Sequence, residues 1–275
     1  MNITELHDRL FEVLCVIDDI CKEENIPYFL DSGTAIGAVR EKDFIPWDDD
    51  MDIKILAENY PRFKEAMKKN LPAYMHLVEP QDFAPGFYDF IVRIYDERYF
   101  LREETDEDKL YNNYQNHVGT DVFIFAKAPN SNILKKTMAW KLKTLYGMGM
   151  TYRCSIDYKK YSAIYKCAVF CLQMIGKIVP ISKIFDGFWK IVFLYSGEVC
   201  SYRFPVNYIV NSNVYQAVFR ENWYSGEPKY GTIRGRQFPI PSGYHEELSM
   251  IYGDYMTPDR NPDKYVQHLA QSEIE

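Results

Sequence analysis

The sequence predicts an α+β fold: a mixed sheet flanked by helices, with a basic helical insertion in its second half. Three observations predict it. Segments with helical period are interleaved with short β-branched and aromatic runs lying close in sequence. One of those runs, Met51-Asp52-Ile53-Lys54-Ile55, alternates apolar and charged residues strictly, the period of a half-buried strand. Residues 133–190 hold eleven Lys or Arg against two acids, a net +9 inside a chain of net −7, which leaves −16 for the remainder. At 275 residues the chain is long enough to bury a core without disulfides or metals as staples.

Taken in order, residues 5–24 form an amphipathic helix, because Leu6, Leu10, Val13, Leu14, Ile17 and Cys21 recur every three or four positions. Pro27 separates it from Tyr28-Phe29-Leu30, a short buried strand that runs into the turn-prone Asp31-Ser32-Gly33-Thr34 and a helix reaching Ala38 or Val39. After Pro46 comes the alternating strand. Residues 59–69 read as a second helix, and Ile91 to Tyr95 and Val118 to Phe125 as further strands, the last ending at Pro129. Residues 199–219 have strand-like composition, and Tyr244 to Tyr252 form a helix that Gly253 closes in the αL position. No linker separates independent domains. The organisation expected is a catalytic core over 1–132, the insertion over 133–198, and a part over 199–275 that completes the same domain.

The acidic balance excludes a general nucleic-acid binder, which needs a basic field for phosphates. Six cysteines without a Cys-x-x-Cys pair, and a start without signal-peptide character, point to a reducing cytoplasm. Cys167 and Cys171 share a helix face, but lack further ligands for zinc and are read as core residues. The apolar stretch from Cys167 to Val179 is too short and interrupted to span a bilayer. The basic segment has two readings: a peripheral membrane-surface element docking at the inner face, or helices whose lysines are merely solvated.

The chemical signal is Trp47-Asp48-Asp49-Asp50-Met51-Asp52. In an extended run Asp48, Asp50 and Asp52 share one face while Asp49, Met51 and Ile53 take the other. Carboxylates roughly 6–7 Å apart at the backbone repel, so a positive charge must compensate. Hard oxygen ligands select Mg²⁺ or Mn²⁺. An EF-hand is excluded, because Ile53 and Asn59 stand where its loop needs Gly and Glu. Ser32-Gly33-Thr34, with Gly37, offers amides at a helix start where a phosphate can sit. Arg40, Lys42 and Arg93 are candidate phosphate counter-charges, and Asp121, at the edge of Val122-Phe123-Ile124-Phe125, is the candidate third acid. The competing readings are an acidic turn facing solvent for the cluster and a turn aspartate for Asp121. His117 is either a base or structural.

The stretch from Leu30-Asp31-Ser32-Gly33-Thr34-Ala35-Ile36-Gly37 to Phe44-Ile45-Pro46-Trp47-Asp48-Asp49-Asp50-Met51-Asp52-Ile53 closely resembles the LicD family. Phe238-Pro239-Ile240-Pro241 to Tyr252-Gly253-Asp254-Tyr255-Met256 is similar to that family's C-terminal signature. The sequence departs from the family at Ser32, where many relatives carry Gly, and at Ile233-Arg234-Gly235, where many carry Phe-Glu-Gly. The resemblance implies a nucleotidyltransferase-like fold and transfer of a phosphoalcohol, foremost phosphocholine, from a CDP-linked donor to a cell-surface glycan or its lipid-linked precursor, with release of CMP. It implies Asp50, Asp52 and Asp121 as metal ligands and catalytic acids, Asp121 also helping to deprotonate the acceptor. Ser32, Gly33, Thr34, Arg40, Trp47, Asp48 and Arg93 are the donor-binding set, with Trp47 either stacking on the base or packing. Transfer of phosphoribitol, phosphoglycerol or a nucleotide, and a non-catalytic metal-binding module, are the alternatives.

Overall fold

The computed structural model describes residues 1–153, 163–206 and 218–258. Helix α1 (Ile3–Glu23) opens with Asn2 and Glu5 bonded reciprocally to each other's backbone amides, and buries the apolar stripe read from its spacing. Strand β1 (Phe29–Leu30) leads into α2 (Ser32–Arg40), then β2 (Asp52–Leu56) and α3 (Tyr60–Asn70). Strands β3 (Met75–Val78), β4 (Val92–Phe100) and β5 (His117–Ala128) follow, with the short α4 (Asp106–Leu110) between the last two. Helices α5 (Asn132–Gly149), α6 (Ala163–Gly176) and α7 (Ile181–Val192) precede β6 (Tyr202–Pro205) and β7 (Phe219–Arg220). The hairpin of β8 (Lys229–Ile233) and β9 (Arg236–Ile240) and helix α8 (Tyr244–Tyr252) end the described chain.

Long β5 organises a seven-stranded mixed sheet. One edge takes β2 in parallel, beyond which β1 lies antiparallel; the other takes β4 and then β6, both antiparallel, with β3 outside β4 and β7 outside β6. This is the expected α+β, nucleotidyltransferase-like arrangement of a mixed sheet with helical cover. Ile53, Ile55, Val92, Ile94, Val122 and Ile124 face the main core beneath α1, α3, α5 and α7. On the opposite face Leu56, Ile91, Phe123 and Phe125 meet Phe219 and Tyr224.

Several expectations are corrected by this packing. Strand β2 is buried along its whole length rather than half-exposed, because Phe219, Tyr224 and α8 cover its charged face. Residues 48–51 are not strand, and β2 starts only at Asp52. The strand read over Val118 to Phe125 is present, as the interior of β5, which sets aside the competing reading of Asp121 as a turn residue. His117 is structural: it is buried, stacked on Tyr95 and beside Phe100, with burial lowering its pKa. Gly253 has positive φ (70°) but ψ of −122°, outside the αL basin. Cys167 and Cys171 are exposed rather than core, because α6 packs through Val169 and Leu172, the latter against Gly147 of α5. Part of the 199–219 reading falls on residues 207–217, outside the described residues.

The basic helices share the main core. Phe188 of α7 stacks on Phe90 with centroids 4.3 Å apart, and Trp189 stacks on Tyr60 at 5.2 Å. Lys135, one of the basic residues, is buried with its ammonium 3.8 Å from the Tyr202 ring centre. Buried Arg203 pins β6 to the sheet through Glu58, Glu221 and the Phe125 carbonyl. The β8–β9 hairpin turns through Arg234 and Gly235, both at positive φ as a two-residue type I′ connection needs. Arg234 binds Asp8 and Asp43, while Arg236 binds Asp18 and Asp19, so the hairpin is clamped to α1.

At Gly119 a Cβ would lie 2.3 Å from the Ile94 carbonyl oxygen and 2.8 Å from the Tyr95 Cα, both in the neighbouring strand's backbone. Gly119→Ala is therefore expected to destabilise the fold by about 2 kcal/mol, read as a lowered midpoint in urea unfolding.

Candidate functional site

The site grows from one register. Parallel pairing of β2 with β5 sets Asp52 opposite Asp121, so two carboxylates from strands 69 positions apart stand side by side on the same sheet face. The pairing begins one step earlier, where the Met51 carbonyl accepts from the Asp121 amide at 3.1 Å and from the Thr120 hydroxyl at 2.9 Å. Asp31 caps α2, its carboxylate accepting from the Ser32 amide at 2.7 Å. Its own amide donates to the Asp52 carbonyl at 3.0 Å. The Thr34 hydroxyl accepts from the Asp52 amide at 2.9 Å, tying α2 to the acidic strand; Thr34 is buried, so its hydroxyl acts by position. Ser32 adopts φ of +47°, a conformation that favours glycine.

Gly33 permits the closest approach. A Cβ there would lie 2.3 Å from a carboxylate oxygen of Asp48, so Asp48 lies directly against the first turn of α2. Asp48 is buried and its carboxyl is pushed up to about 9, by burial first and then by Asp50, with Asp49 adding and Arg40 only partly offsetting. Asp52 is raised well above the usual carboxylate range, again by burial first and then by Asp50, Asp121, Asp31 and Asp48. The cluster therefore carries more negative charge than the surrounding chain neutralises.

Its flanks are neutralised. Arg93 on β4 lies opposite Asp121, donating to its carboxylate at 2.6 Å and to the His117 carbonyl at 2.9 Å, so the guanidinium is engaged with the third acid. Lys54, two residues beyond Asp52, is fully buried between Asp31 (2.7 Å) and Glu247 of α8. Burial alone would lower its pKa, but those two carboxylates outweigh it and hold the ammonium above its ordinary value. Arg40 donates to the Tyr255 carbonyl at 2.6 Å and pairs with Glu41. Lys42 is exposed and donates to the Val39 carbonyl. Trp47 is half-buried and packs against the main core. Sequence reasoning missed Lys54, Glu247 and Tyr252, whose hydroxyl reaches the Ser32 side chain from α8. The only available signal was a lysine inside an alternating strand.

Asp50, Asp52 and Asp121 are neighbours, but among the described residues no three His, Cys, Asp or Glu side chains converge as a ready-made cation shell. The donor set still fits a hard divalent cation by charge and atom type. Asp48 and Asp52 favour protonation through burial and then through repulsion by the neighbouring Asp50, and a cation would relieve that repulsion.

Residues 25–148 match the family model described as LicD/FKTN/FKRP, nucleotidyltransferase domain, and this span contains both acidic strands and α2. Over this span the chain is similar to the LicD-family nucleotidyltransferase domain. It is 25% identical over 260 residues to the lipopolysaccharide cholinephosphotransferase LicD of Haemophilus influenzae, a match covering 93% of this chain and 91% of that protein. Local similarity also links it to two uncharacterised Rickettsia proteins. One from Rickettsia typhi is 36% identical over 58 residues, covering 21% of this chain and 19% of that protein. One from Rickettsia prowazekii is 40% identical over 50 residues, covering 18% and 19% respectively. The family match ends at Met148, so α8, which supplies Glu247, lies beyond the matched span.

Two outcomes follow from the charge distribution. A carboxyl whose pKa is higher folded than unfolded holds its proton in the fold after the unfolded chain has lost it. For Asp48 the cation-free protein should thus lose stability as pH rises from about 4, the unfolded value, to about 9. Asp48→Asn should flatten that decline in melting curves taken across the range. Lys54→Met leaves Asp31 and Glu247 buried without their ammonium, and urea unfolding at neutral pH should show a loss of about 3 kcal/mol.

Proposed function

We propose that the chain is a metal-dependent phosphotransferase that moves phosphocholine from CDP-choline to a hydroxyl of a cell-surface glycan or its lipid-linked precursor, releasing CMP. The observation that carries this reading is the pairing of Asp52 with Asp121, with Asp50 adjacent and the first turn of α2 alongside. The printed name of the Haemophilus relative, a lipopolysaccharide cholinephosphotransferase, supports the phosphocholine and glycan parts of it.

In this reading Asp50 and Asp52, with Asp121 across the strand pair, would hold Mg²⁺ or Mn²⁺, which when bound would supply positive charge to offset the negative charge of the donor's phosphates. The Ser32-Gly33 turn brings backbone close to the donor, and Asp48, packed on Gly33, fixes the turn from behind. Arg93 orients the Asp121 carboxylate. Asp121 accepts the proton of the acceptor hydroxyl as its oxygen forms the new bond to phosphorus and the bond from phosphorus to the CMP oxygen breaks. Tyr252 and Arg40, tied to Ser32 and to the Tyr255 carbonyl, hold the C-terminal signature against the turn.

CMP release should be measured with CDP-choline, CDP-ribitol and CDP-glycerol, with and without Mg²⁺ or Mn²⁺, beside pyrophosphate release from CTP. The expected result is divalent-dependent CMP release, fastest from CDP-choline. Asp50→Asn and Asp52→Asn should each reduce the rate by about 10²–10³ while leaving the fold intact by circular dichroism. Undiminished transfer by either variant refutes the assignment, and release of pyrophosphate instead of CMP replaces it with nucleotide transfer.

A further inference from the structure

Helix α6 presents its apolar side to solvent. Its inward contacts are made by Val169, Leu172 and Gly176 against α5 and the turn that follows it. Cys167, Phe170, Cys171 and Met174 recur at three- and four-residue spacing along the exposed side; Ile175 lies beside Met174, and Ile178 follows just past the helix end. Phe170 is 58% exposed and Ile178 84%. On α5, Ile133 and Trp140, seven residues apart and so on one helix face, are 77% and 66% exposed. Exposed apolar side chains of this size, on two helices packed against each other, mark a surface that meets something other than water.

The charge around them says what. Lys136, Lys141, Lys166, Lys183 and Lys190 are exposed on these three helices and Lys177 is exposed in the turn after α6, while Asp186 is the only acid on the three helices among the described residues. No single described helix is long and apolar enough to cross a bilayer, and the axes of α6 and α7 bend by 112° at the break between them. A bent, amphipathic, lysine-bordered pair suits lying in a headgroup layer. A second copy of the chain fits less well, because a two-fold contact would set one basic segment against another.

We infer that α5, α6 and α7 form a docking surface for an anionic lipid bilayer, with Phe170, Met174, Ile175 and Ile178 entering the interface and the lysines contacting lipid phosphates. The remainder of the chain, net −16, gives the same membrane no electrostatic attraction, so the basic helices are the side that docks. This surface is independent of the transfer chemistry, and its test needs no turnover.

The full chain should be pelleted with vesicles of phosphatidylcholine alone and of phosphatidylcholine with roughly one-quarter phosphatidylglycerol, in low and high salt. The expected result is co-sedimentation with the anionic vesicles that weakens as salt rises. Phe170→Glu with Ile178→Glu should weaken it by roughly tenfold or more, and Lys166→Glu with Lys177→Glu should remove the preference for anionic lipid. Both pairs are exposed, so melting temperatures should stay unchanged and exclude misfolding as the cause. Equal pelleting by native and Phe170→Glu/Ile178→Glu chains overturns the inference, as does absence of vesicle binding. A dimer in light scattering that the same pair dissolves, without vesicle binding, assigns the surface to self-association instead.

Discussion

The parallel register between β2 and β5 is the constraint on which the rest of the site depends. Shifting it by one residue would send Asp121 to the main core and leave Asp52 facing a valine, because strand side chains alternate faces. The register is held from both sides: Ile53, Ile55, Val122 and Ile124 fill the core beneath, while Phe123 and Phe125 pack above. A hydrophobic pattern thus positions an electrostatic one. The carboxylates gather because their apolar neighbours have no other place to go.

The charge pattern around that register is graded. Asp121 has Arg93, and Asp31 shares Lys54 with Glu247, whereas Asp48 and Asp52 are pushed toward the protonated form by burial and then by Asp50. Arginine and lysine thus sit beside the outer acids, although burial still raises Glu247, while the inner acids are left in electrostatic tension.

Much of this was legible in the sequence. The period of α1, the short β1 before a capped helix, and the acid run ahead of β2 are local patterns, and local patterns survive folding. Asp121 was legible as an acid within an apolar strand, with a turn after Gly119-Thr120 as the competing reading; only the close backbone approach of β4 explains a glycine inside that strand. The full burial of β2 was not legible. Its cover comes from Phe219, Tyr224 and Glu247, and nothing local to Lys54 announces partners so far along the chain. The β8–β9 hairpin was hidden for a related reason: its turn uses Arg234 at positive φ, outside the usual Asn-Gly signal, and its strands form a separate small sheet packed on α2. The inward face of α6 was misjudged because helical period shows that a stripe exists, not which side of it the protein covers.

Lys54 and Glu247 are separated by 193 positions, yet their contact lies two residues from the acid cluster. During synthesis on the ribosome, β2 emerges long before α8, so the lysine is made early and receives its second carboxylate late. Until then Asp31 is its partner in this network, and the aromatic cover over the acidic face is incomplete. A competent centre therefore cannot precede the arrival of the last described helix, and a ribosome-bound chain stalled before residue 244 would display the acids without the closure that organises them.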